Sequence, residues 1–157
     1  MVLNIRVLTP DRIMFSNKAK ELVIPSTTGA VGILENHARM ITTIEDGGLL
    51  RMKLAASNKW TPFVLFGGVA EIDTNDVTII TNLMEDVQDV DPVEAKKEVE
   101  KTIKILEKAK TPEERLDGMK KLRRRTARLE GANLLNKQRN KDKLKIAQVK
   151  AKFEGSE

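Results

Sequence analysis

Two regimes of apolar spacing meet at Asp91-Pro92, and they demand two different kinds of structure. Before that point apolar residues recur at every second position in short runs: Leu3, Ile5 and Val7 alternate with Asn4 and Arg6, and Leu50, Met52 and Leu54 with Arg51 and Lys53. That period belongs to half-buried β-strands. After it the steps lengthen to three and four. Asp91, Pro92 and Glu94 make a helix start, with an N-cap, a proline at the first helical position and a glutamate placed for a capping box. Ala95, Val99, Thr102, Leu106 and Ala109 then fall on one helical face. A second start at Thr111-Pro112-Glu113-Glu114 opens another helix, whose stripe is Leu116, Met119, Leu122, Leu129 and Ala132. The fold class that follows is α+β in two parts. Residues 1–87 form a sandwich or barrel of short strands, residues 88–133 an antiparallel two-helix hairpin, and residues 134–157 a basic extension, helical or disordered.

Turn chemistry divides the β part. Ser16-Asn17-Lys18, Glu45-Asp46-Gly47-Gly48, Ala56 to Lys59 and Thr74-Asn75-Asp76 all read as reversals, and Gly67-Gly68 as a close backbone approach or a bulge. The stretch Gly29-Ala30-Val31-Gly32-Ile33-Leu34-Glu35-Asn36-His37-Ala38 reads as a tight reversal, a short strand and a second turn. Gly-x-x-Gly also occurs in phosphate-cradling and RNA-clamping loops. The first needs a strand feeding a helix and the second a loop between helices, whereas strand formers follow here. The stripes of the two helices are thin and alanine-rich, so their docking onto the β part is expected to be marginal and their position changeable.

Charge is divided along the same line. Through Asp86 there are 8 basic and 10 acidic residues; from Val87 onward there are 20 and 13. Lys120-Lys121-Leu122-Arg123-Arg124-Arg125-Thr126-Ala127-Arg128 is the densest basic run, and on a helix Lys121, Arg124, Arg125 and Arg128 share a side. Such a side is either solvated or docks on an acidic protein or nucleic acid. With 4 Phe and 1 Trp, most of them in strand runs, stacking platforms for nucleic acid are lacking. No catalytic, metal or cofactor constellation stands out. The chain has one histidine and no cysteine, and His37 beside a turn is expected to be structural. No apolar run approaches the roughly 20 residues of a membrane span. The chain enters a strand directly after Met1, so no cleavable leader is expected.

Taken together, Gly29-x-x-Gly32-x-Leu34-x-Asn36-His37-Ala38, Phe66-Gly67-Gly68, Asn58-x-Trp60 and Asp91-Pro92-x-Glu94-Ala95 resemble the ε subunits of F-type ATP synthases, in their chloroplast or cyanobacterial branch. The likeness runs from Met1 to about Asn133. It implies a ten-stranded β-sandwich with two helices, and a noncatalytic role in the rotating central stalk against the γ subunit and the membrane c-ring. Gly29, Ala30, Val31, Gly32 and His37 would belong to the part facing the ring. The hairpin would restrain ATP hydrolysis, with Arg123, Arg124, Arg125 and Arg128 meeting an acidic stretch on the catalytic β subunits. The protein would lie peripherally on the thylakoid membrane, on its stromal or cytoplasmic side. Arg39 replaces the usual proline. Asp91-x-x-Glu94-Ala95 lacks the arginine of the bacterial ATP motif, so Asp91 matches that motif only in part and no ATP binding is expected. The alternative is a freestanding RNA-binding or protein-adaptor module that uses the basic helices.

Overall fold

The computed structural model describes residues 2–155. Met1, Ser156 and Glu157, at the ends of two of the expected ranges, lie outside the described residues. The elements are β1 (Leu3–Leu8), β2 (Ile13–Ser26), β3 (Gly29–Ile33), β4 (His37–Leu54), β5 (Trp60–Thr74), β6 (Asp76–Ile80), β7 (Met84–Asp86), α1 (Pro92–Glu107) and α2 (Pro112–Glu154). The sheet order is β1-β6-β5-β4-β2-β3, with β7 on β5. Because β2 also pairs with β1, the sheet closes on itself and wraps one core. Leu22, Ile24, Leu50, Met52, Leu65, Ile72 and Ile79 are fully buried inside it. The pairing of β1 with β6 is parallel and every other pairing is antiparallel.

The ten strands implied by the resemblance are corrected to a 7-stranded sheet among the described residues. Two expected reversals lie inside long strands, Ser16-Asn17-Lys18 in β2 and Gly47-Gly48 in β4, while Gly67-Gly68 lies inside β5 as the close backbone approach expected of it. Register shifts of β2 on either side of residues 16–18, and the bulge of β4 at Gly47, bend these two strands without ending them, which lets one strand serve two faces of the closed sheet. At Gly67-Gly68 strand β5 changes partner, from β7 at Phe63–Leu65 to β6 at Val69–Asp73. Gly68 takes φ +125°, and a Cβ there would run into the carbonyl of Ile80, so glycine is required twice over. In β4 the register skips Gly47, between Asp46 opposite Phe66 and Gly48 opposite Leu65. The extra residue faces the helices.

Both helices start at their expected caps, though at α1 Glu94 pairs with Lys97 instead of closing a capping box. Asp91 accepts a hydrogen bond from Val93 N at 3.0 Å, and Thr111 accepts from Glu114 N at 3.2 Å while the Glu114 carboxylate reaches back to Lys110 N at 2.9 Å. Helix α1 buries Ala95 and Thr102 as its stripe predicts. Helix α2 follows its predicted stripe only in part: Ala132 is buried and Leu122 and Leu129 are half-buried, but Leu116 is 61% exposed and Met119 45%. Its buried residues are Gly118, Ala127, Gly131 and Ala132, because the helix is seated by close backbone approach, where bulky side chains have no room. Gly118, which on propensity alone weakens the helix, is where Leu106 of α1 packs, and a Cβ there would stand 2.9 Å from Leu106 Cδ1. Helix α2 also passes position 133 without interruption and runs 43 residues to Glu154. No helix among the described residues is long and apolar enough to cross a membrane.

Candidate functional site

The feature with most chemistry is the seat of α2 on the closed sheet. Its apolar part is small: Val64, Val87 and Ala127 are buried, with Leu49, Phe66, Val90 and Leu135 packed around them. Two glycines set the distance. A Cβ on Gly47, whose φ is +83°, would come within 2.7 Å of Arg124 N, and one on Gly131 would come within 2.7 Å of Val87 Cγ2. The bulge of β4 therefore touches the backbone of α2 directly.

Around that contact the basic run is paired within the chain. Arg124 makes a two-pronged bond to Asp46, Nε to Oδ1 at 2.8 Å and Nη2 to Oδ2 at 2.9 Å, while its guanidinium lies 4.5 Å from the centre of the Phe66 ring. The Arg124 hydrogen bond, aided by its charge, holds the Asp46 carboxyl below the usual carboxylate range and raises the arginine in turn. Arg123 Nη1 lies 3.5 Å from Glu45. Arg128 bridges two elements: Nη1 donates to Glu98 of α1 at 3.0 Å, and Nε sits 2.7 Å from Glu85 of β7, attracted by charge but off the line of an N–H bond. Arg125 donates to Thr102 Oγ1, whose own hydroxyl donates to the Glu98 carbonyl at 2.8 Å. Farther along, Gln138 donates to the Trp60 carbonyl at 3.0 Å and Lys59 Nζ meets Asp142 at 2.6 Å. The four arginines singled out in the sequence thus share one region, facing the sheet and α1.

The residues of the glycine stretch do not form one loop. The reversal is made by Thr27-Thr28, so that Gly29, Ala30, Val31 and Gly32 lie in edge strand β3, paired only with β2. His37 opens β4, where its Nδ1–H donates to the Ala38 carbonyl at 2.7 Å, and the turn before it is tied to the β5–β6 hairpin by Asn36 N donating to Asn75 Oδ1 at 2.7 Å. Arg39 pairs with Asp73 at 3.3 Å on the surface. Ala30 also lines an open groove of about 500 Å³, shared with Arg51 and with Glu130 and Lys137 of α2. Asp91 is occupied as the cap of α1.

One surface escaped the sequence reading. The register aligns Thr43 with Val69, Val69 with Ile80, Ile80 with Leu8, and Leu8 with Ile13, so one outward row crosses five neighbouring strands. In this row Val69 is 41%, Ile80 55% and Ile13 61% exposed, and Ile41, two residues along from Thr43, is 73% exposed. An apolar row of this kind on the outside of a sheet is a candidate protein contact. The available signal was the doublet Ile79-Ile80, apolar on both faces of one strand.

The β-sandwich domain of ATP synthase delta/epsilon chains matches residues 2–87. The chloroplastic ATP synthase epsilon chain of Phaeodactylum tricornutum is 51% identical over 136 residues, which is 87% of this chain and 100% of that one. The chain belongs to the ATP synthase ε-chain family. A second relative, the chloroplastic ε chain of Thalassiosira pseudonana, is also 51% identical over 136 residues, again covering 87% of this chain and 100% of its own length. The ε chains are noncatalytic subunits. In fold, the chain is similar to one in the Euglena gracilis mitochondrial ATP synthase assembly of OSCP, F1 and c-ring, with TM-score 0.71 and 20% identity, covering 83% of this chain and 81% of that one. It is also similar to a chain of the Tetrahymena thermophila mitochondrial ATP synthase central stalk and c-ring, with TM-score 0.54 and 14% identity, covering 81% and 96%.

Proposed function

We propose that this ε-type chain works as the coupling element of a plastid-type ATP synthase rotor, its sandwich bound to the γ subunit and the c-ring and its helical hairpin restraining ATP hydrolysis. The observation that carries the reading is the pairing of the basic helix. Arg123, Arg124 and Arg128 rest on carboxylates of the sandwich, and Arg128 on one of α1 as well. An acidic stretch on the catalytic β subunits offers the same chemistry. The arginines would exchange one set of carboxylates for another, and such an exchange is nearly balanced and sensitive to salt. A seat built from small residues and half-exposed ion pairs suits a part that must leave it.

The sandwich is suited to the constant contacts. Its main core draws only on residues between Leu3 and Met84, so it does not depend on the helices. The outward row through Val69, Ile80 and Ile13 supplies an apolar face for the γ subunit, and edge strand β3 with its Gly29 and Gly32 a low-relief one for the polar loops of the ring. In this reading the protein is peripheral to the thylakoid membrane. The test is a chain ending at Val90, added to an ATP synthase from which the ε subunit has been removed. Full assembly with raised ATP hydrolysis is the expected result; failure to assemble would overturn the division of labour between the two parts.

A further inference from the structure

The contacts of α2 with the sheet fall on one stripe, and that stripe outruns the sheet. Arg124, Ala127, Gly131, Leu135, Gln138 and Asp142 touch the sandwich at steps of three and four, the last through Lys59 in the turn before β5. The same steps lead on to Ile146, Val149 and Phe153, where the helix continues and its residues are exposed. Ile146 and Val149 are each 57% exposed, and Phe153 is 77% exposed. Lysines border the stripe on both sides at helical spacing, Lys145 and Lys152 on one and Lys143 and Lys150 on the other. None of the ion pairs among the described residues uses them. The related chains of Phaeodactylum and Thalassiosira are accounted for in full by 136 residues, fewer than the 157 here.

We propose that this end of α2 is a docking seam for another subunit of the same complex, specifically for a helix whose own apolar seam is bordered by Asp and Glu. The steps of four, three and four from Asp142 to Phe153 are those of a helix-packing seam, two apolar positions per heptad. A seam that narrow fits a facing helix, whereas adsorption to a lipid surface calls for a broader apolar face. A second copy of this chain would set lysine against lysine along both borders, so self-pairing is disfavoured. The seam is continuous with the α2–sandwich interface, so a partner helix would abut the turn at Asn58-Lys59. The inference rests on membership of the rotor complex, and it gives the extension, rather than the arginine cluster, the role of meeting a partner while the hairpin is docked.

The test uses the full chain and an ATP synthase depleted of its ε subunit. Affinity is measured for the parent, for Val149→Asp, and for a Lys145→Glu, Lys150→Glu double variant, with circular dichroism confirming that each remains helical. Both variants should bind at least about tenfold more weakly, a loss of roughly 1.4 kcal/mol. A photo-crosslinking residue at position 149 should join to a helical, acidic segment of one subunit. Equal affinity of all three proteins would overturn the seam while leaving the family reading intact; absence of binding by the parent would instead overturn the rotor assignment. Loss of affinity that tracks binding to phosphatidylglycerol vesicles, or self-association in sedimentation, would replace the helical partner with a membrane or a second copy and so refute the proposal.

Discussion

At the scale of single residues, the glycines separate into those that the backbone requires and those that only look as if they were required. Gly29 and Gly32 carry the most recognisable motif in the chain, yet a Cβ on Gly32 would meet nothing within 4 Å and its φ is not in the left-handed region. Gly68 has both a φ of +125° and the Ile80 carbonyl in the way. Gly68→Ala should therefore cost about 3 kcal/mol or more and lower Tm on the order of 10 °C, whereas Gly32→Ala should stay within about 0.5 kcal/mol. Thermal unfolding of the two variants checks this, and an equal effect would show that the close approach at β6 relaxes. If Gly32 faces the c-ring, its substitution should surface in coupling and not in stability.

At the scale of the element, α2 was legible in where it starts and illegible in how it sits. Its N-cap at Thr111 follows from local chemistry. Its buried face follows the leucines only in part, because α1 approaches at Gly118 and the sheet at Ala127 and Gly131, which leaves Leu116 facing water. The Asp46–Arg124 pair is the most specific polar contact of the seat, and its removal sets the next prediction. Asp46→Asn should weaken docking by about 1 kcal/mol, the ion pair being part-exposed, and should speed hydrogen exchange in the α2 amides from 124 to 142 without touching the β-sheet. Acid should act alike. A carboxylate depressed in the folded state contributes its stabilisation above its unfolded pKa and loses it as pH falls through the folded value. Faster α2 exchange is thus expected only below the ordinary carboxylate range, and a transition near neutrality would point to another group.

At the scale of the whole molecule, a closed sheet with its own core carries a helical hairpin held by charges. Trp60, the chain's one tryptophan, lies at that junction: its carbonyl accepts from Gln138, and Lys53 stands 5.9 Å from its ring. Raising ionic strength should loosen the hairpin and move Trp60 emission toward that of the chain ending at Val90, with the β-sheet circular dichroism unchanged. Emission insensitive to salt would mean that the small apolar patch around Val64, Val87 and Ala127 holds the seat alone.

The two-part division at Asp91-Pro92, the caps of both helices and, through the clustered motifs, the family are all legible in the order of the residues. These are local matters: alternation, φ preferences and side-chain-to-backbone bonds act within a few residues, and local chemistry is written in sequence order. Tertiary structure decided the rest. The 7-stranded closed sheet depends on register shifts in β2 and β4 and on the change of partner along β5, so that strands run on where turn residues alone would suggest an end. Whether Arg123, Arg124, Arg125 and Arg128 face water or protein depends on Glu45, Asp46, Glu85, Glu98 and Thr102, at sequence separations from 23 to 78 residues. The exposed row from Ile13 to Val69 exists only once four strands are set in register. Pairing across such separations is fixed by how the sheet closes, and no local pattern encodes that.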